Sequence, residues 1–70
     1  MKLIVNGEDK TLPSSPNPPN LQKVIEQLGF HPKLIVVEFN GIIIPPLNWP
    51  KQEVKDGDTL EIVTIVGGGS

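Results

Sequence analysis

Cysteine is absent from this 70-residue chain, and histidine occurs once, at His31. No disulfide can staple the fold, and no His, Asp and Glu cluster has the spacing of a zinc site. Small domains often rely on such staples, because a chain of this size buries only ~60% of the surface it exposes when unfolded. Aromatic residues are few: Phe30, Phe39 and Trp49. The core must therefore come from Leu, Ile and Val. Positive charge is scarce as well, with six scattered lysines and a net charge of -2. That balance argues against a nucleic-acid partner, which needs a clustered basic surface. No apolar run approaches the ~20 residues of a membrane-spanning helix. The N-terminus begins as a strand rather than with the layout of a signal peptide. These absences point to a soluble, cytoplasmic, one-domain protein, monomeric when free, with no metal and no bound cofactor.

What is present divides cleanly. Lys2 to Asn6 is β-branched and apolar, and Asn6-Gly7 is a strong hairpin signal, so Glu8 to Leu12 returns as a second strand. Pro13-Ser14-Ser15-Pro16-Asn17-Pro18-Pro19 can be neither helix nor inner strand and reads as a surface loop. Leu21, Val24, Ile25 and Leu28 then fall at i, i+3, i+4 and i+7, which predicts a helix capped by Asn20 and ended by Gly29. Eight residues of helix are too few to stand alone in water. The helix must lie on a sheet.

Leu34 to Phe39 is a near-continuous apolar run and predicts a central strand covered on most of both faces. Asn40-Gly41 turns the chain, Ile42 to Ile44 forms a short partner, and Pro45-Pro46 stops it. Leu47 to Val54 reads as irregular, pinned by Trp49. Asp56-Gly57-Asp58 reads as a turn, not as an acid/base or metal pair; His31 marks the end of a loop. Thr59 to Val66 is the last strand. Periodicity supports a small α+β domain with one helix on a mixed sheet of four to five strands. The order of elements matches the β-grasp arrangement of ubiquitin-like domains. The expected layout is a β-grasp body over residues 1–66 and a glycine tail over 67–70.

The last strand and the tail carry the functional reading. Alternation puts Leu60, Ile62, Thr64 and Val66 on one face and Glu61, Val63 and Ile65 on the other. Leu60 and Ile62 should meet the helix. Val63, Ile65 and, at the strand's end, Val66 are the candidate docking residues for a partner. The opposing reading is that the loop around Trp49 covers Val63 and Ile65, or that a bulge reverses the parity. Gly67-Gly68-Gly69 lacks Cβ atoms, so the tail is thin and conformationally permissive. It reads either as a frayed end or as a probe for a narrow channel.

Taken together, several features resemble the ThiS family of sulfur carriers from thiamin biosynthesis. They are Asn6 after a short strand, the helix from Asn20 to Leu28, Asn40 closing a strand, and Pro45, Trp49, Val54 and Asp56-Gly57-Asp58. The apolar last strand and the glycines complete the match, which covers nearly the whole chain. The resemblance implies a protein substrate rather than an enzyme. It implies a ThiF/E1-like adenylyltransferase that uses ATP, a persulfide donor of the cysteine desulfurase or rhodanese type, and thiazole synthase as receiver. The family's terminal Gly-Gly falls on Gly68-Gly69, making Gly69 the thiocarboxylate acceptor and Ser70 an extra residue. If Ser70 belongs to the natural chain it must be removed first; if it is foreign, Gly69 is already the end. A register one residue earlier would make Gly68 the acceptor. Related alternatives are carriers for molybdopterin synthase or tRNA thiolation. A ubiquitin-like binding module with an inert tail is the alternative from another class.

Overall fold

The computed structural model describes residues 1–13 and 16–65. Among the described residues five strands form one sheet with a single helix packed on it: β1 Lys2–Val5, β2 Glu8–Thr11, α1 Leu21–Leu28, β3 Ile35–Phe39, β4 Ile42–Ile43 and β5 Thr59–Thr64. Short 3-10 turns cover Pro32–Leu34 and Pro46–Lys51. The strand order is β2-β1-β5-β3-β4, with β1 and β5 parallel and every other neighbouring pair antiparallel. Strands near the two ends of the sequence thus meet in the middle, as the β-grasp reading requires.

The central strand is β5, not the Leu34–Phe39 segment expected there, and β3 is covered on one face only. Its burial alternates, with Ile35, Val37 and Phe39 inside and Val36 and Glu38 outside. The apolar run misleads because a single eight-residue helix can cover only one side of the sheet, so Val36 is simply an exposed valine. Strand ends also differ slightly from expectation. Asn6, Leu12 and Ile44 fall outside their strands, and Pro45 and Pro46 do end β4.

Helix α1 forms where its apolar stripe predicts. Asn20 accepts the Lys23 main-chain N–H through its side chain, and Gly29 closes the helix with φ +85°. Leu21, Val24 and Ile25 are fully buried and share a core with Leu3, Val5, Val37, Leu60 and Ile62 from the strands. At about 25 cal/mol per Å² of apolar area removed from water, burial of this aliphatic layer is the main stabilising term. Trp49 joins it: the ring is buried, and its Nε1–H donates to the Ile44 carbonyl at 2.8 Å. The turn that carries Trp49 contacts α1.

Candidate functional site

Strand β5 leads to the glycine residues, so the site is built from how β5 is held and what it presents. Leu60 and Ile62 point into the core, as alternation predicts. Val63 and Ile65 are 63% and 50% exposed. No bulge reverses the parity, since the β3 register runs unbroken from Phe39–Leu60 to Ile35–Thr64. The Trp49 turn does not cover them either, because it lies against α1, which packs on the opposite side of the sheet.

Antiparallel pairing builds the outer face in rows, because directly opposed residues share a side. Val36 lies opposite Val63, and Glu38 opposite Glu61. One step beyond Ile35–Thr64, the Ile65 N–H donates to the carbonyl of exposed Leu34 at 2.6 Å. The outcome is an apolar band at the Ile65 end of β5, followed by two carboxylates facing one another. Neither carboxylate takes part in an ion pair among the described residues.

Two asparagines grip β5, Asn40 at its first residue, Thr59, and Asn6 past its middle, at Ile62. Asn6 has φ +52° and Asn40 φ +51°, and each precedes a glycine also at positive φ. Asparagine tolerates this left-handed region better than most residues. The Asn6 side chain makes a two-way pair with the Ile62 main chain: Nδ2–H donates to the Ile62 carbonyl at 3.1 Å, and Oδ1 accepts the Ile62 N–H at 2.7 Å. The Asn40 side chain accepts the Thr59 N–H at 2.9 Å and donates to Asp58 Oδ1 at 3.1 Å. Sequence reasoning found both Asn-Gly turns but missed these side-chain ties. The turn signal explains each asparagine so completely that its remaining donor and acceptor go unasked about.

The aspartates act as fasteners. Asp56 Oδ1 accepts the Lys2 N–H at 2.6 Å, and Asp58 Oδ2 accepts the Lys55 N–H at 2.8 Å. His31 caps a 3-10 turn by accepting the Lys33 N–H on Nδ1 at 3.3 Å. Among the described residues no group of three or more His, Cys, Asp or Glu could hold a metal. No helix among them is long and apolar enough to cross a membrane. The expected acceptors Gly69 and Gly68, the tail residue Gly67, the docking residue Val66 and Ser70 all lie outside the described residues.

A ThiS-family model matches residues 3–69. The chain belongs to the ThiS family. Its relatives include the sulfur carrier protein ThiS of Thermus thermophilus, 31% identical over 65 residues, which span 93% of this chain and 95% of that one. A thiazole synthase of Paramagnetospirillum magneticum is 37% identical over all 70 residues, yet those residues are only 21% of that longer polypeptide. Among solved structures, the thiamine biosynthesis protein ThiS from Geobacter metallireducens superposes with a TM-score of 0.82 at 30% identity, covering 99% of this chain and all of that one. The ThiS-family fold is thus the mixed five-stranded sheet with one helix described above.

Proposed function

We propose that this ThiS-family protein is a sulfur carrier for thiamin thiazole synthesis and that it is a protein substrate rather than a catalyst. The observation that carries the reading is a ThiS-type body whose central strand runs in sequence directly into Gly67-Gly68-Gly69. The 37% match to a stretch of a thiazole synthase supports thiazole as the sulfur's destination.

The chemistry follows from the terminus. A carboxylate is a poor electrophile. Once the chain ends at Gly69, an adenylyltransferase of the ThiF/E1 type therefore joins the Gly69 carboxylate to AMP from ATP, with loss of pyrophosphate. A persulfide displaces AMP to form an acyl disulfide. A second thiol cleaves its S–S bond by exchange, leaving a disulfide on the donor side and releasing the thiocarboxylate that thiazole synthase consumes. Glycine suits the acceptor position because no side chain hinders attack on its carbonyl or entry into a narrow channel. With no cysteine in the chain, no side-chain thiol competes for the role.

Val63 and Ile65, with Val36 beside them, are the surface on which the adenylyltransferase docks. Exposed apolar groups next to a reactive terminus are what a transient partner needs. The opposed Glu38 and Glu61 carboxylates favour a partner that brings lysine or arginine to the rim.

Intact mass of the protein from its own cells tests the carrier reading. Loss of Ser70 with an oxygen-to-sulfur mass increment supports it and identifies Gly69. An unmodified Ser70 under thiamin starvation argues for a binding module instead. Docking is tested separately by Val63→Asp and Ile65→Asp, each expected to raise KM for the carrier in ATP–pyrophosphate exchange by about tenfold, a 1.4 kcal/mol loss. Unchanged KM in both variants refutes the surface.

A further inference from the structure

Beyond Val5 the chain turns away at Asn6, so β1 pairs with β5 only through Ile4–Thr59 and Val5–Leu60. The Asn6 N–H still donates to the Leu60 carbonyl at 2.9 Å. Its side chain then supplies the next donor and acceptor to Ile62, doing the work of one more strand residue. These two bonds are part-buried, whereas those of Asn40 are exposed. Among the described residues nothing pairs with β5 on this edge past Ile62. On the opposite edge the last tie among the described residues is Ile65 N–H to Leu34 carbonyl.

We propose that Asn6 is a positioning residue for the glycine terminus, setting the direction in which β5 leaves the sheet. This rests on the carrier reading above. Seven residues separate Ile62 from Gly69, a reach of at most about 25 Å. Without the Asn6 ties, β5 beyond Leu60 would be held from the β3 side alone, through that pairing and the Ile65–Leu34 bond. Misplacement by ~1 Å can cost an active site ~100-fold in rate, so a small shift of this exit is read in the reaction.

Asn40 provides the control: in the same kind of turn it accepts the Thr59 N–H of the same strand at the end away from the glycines, while its amide donates to the Asp58 carboxylate. Glycine tolerates both positive-φ positions, so Asn6→Gly and Asn40→Gly remove the side-chain ties and spare the turns. Two readouts are taken on the chain ending at Gly69, wild type and variants alike: amide hydrogen exchange at Ile65, and adenylation kinetics with the ThiF-type enzyme. Asn6→Gly is expected to lower kcat by roughly tenfold or more, leave KM for the carrier within about twofold, and speed exchange at Ile65. Asn40→Gly is expected to match wild type in kcat and in Ile65 exchange. Asn6→Asp, which keeps the acceptor and loses the donor, should fall between and covers the case in which Asn6→Gly does not fold. Equal kcat losses in the Asn6 and Asn40 variants overturn the proposal, as does wild-type kcat in Asn6→Gly. If the wild-type chain is not adenylated at all, the carrier reading fails, and Ile65 exchange alone decides the positioning role.

Discussion

Trp49 shows how much one side chain can hold in so small a body. Its ring is buried in the aliphatic core, and its Nε1–H closes onto Ile44, where β4 has just ended. It therefore ties the 3-10 turn, the helix and the chain leaving β4 together. Truncation to alanine should cost about 3–5 kcal/mol, read from urea unfolding, while the adenylation rate per folded molecule stays unchanged. A loss of rate without a loss of stability would place Trp49 at the partner interface instead. Gly29 makes a smaller, cleaner case. A Cβ there would meet nothing within 4 Å, so only its φ of +85° opposes substitution. Gly29→Ala should therefore cost about 1–2 kcal/mol, the penalty of a left-handed alanine, seen as a lowered Tm.

At the scale of elements, helix and strands differ in how readily they can be read from residues. Leu21, Val24, Ile25 and Leu28, bracketed by Asn20 and Gly29, specify α1 without help from the rest of the fold, because stripe, cap and stop are all local. Strand β5 is equally legible in its alternation, and Val63 and Ile65 are exposed for the reason their parity implies. Strand β3 is not. Ile35-Val36-Val37 reads as buried on both sides, yet what covers a strand depends on how many layers the whole chain can build, and this one builds two. The Asn6 and Asn40 ties were illegible for a similar reason: their partners, Ile62 and Thr59, are 56 and 19 residues away. The outer face offers its own check. Glu38→Gln and Glu61→Gln each relieve a like-charge cross-strand pair, so each should leave stability unchanged or raise it by up to about 1 kcal/mol. The same variants should raise KM for adenylation and flatten its dependence on salt, measured between low and physiological ionic strength.

The molecule as a whole closes its two outer sheet edges by different means. Strand β2 is short and polar, all four residues exposed, with Lys10 beside Glu8. Strand β4 is two residues long and is followed at once by Ile44 and two prolines. Both devices discourage edge-to-edge association. The proposed docking then falls to the outer face, where Val63 and Ile65 are exposed. Removal of residues 67–70 should change the unfolding free energy by less than about 0.5 kcal/mol, measured in urea, and abolish the carrier reaction outright. Body and chemistry are then separable by where the chain is cut.

That separation has a limit, set by the strand that sits in the middle of the sheet. Because β5 lies between β1 and β3, the sheet cannot assemble until the C-terminal segment has found a partner some 55 residues away, Ile4 opposite Thr59. Such a distant pairing is a slow step, since a long loop must close before any contact repays it. Until then β1 and β3 each carry a bare inner edge, the kind of surface on which chains aggregate. A polypeptide broken off before β5 is therefore not a carrier missing its sulfur site. It is an unfolded chain, open to proteases.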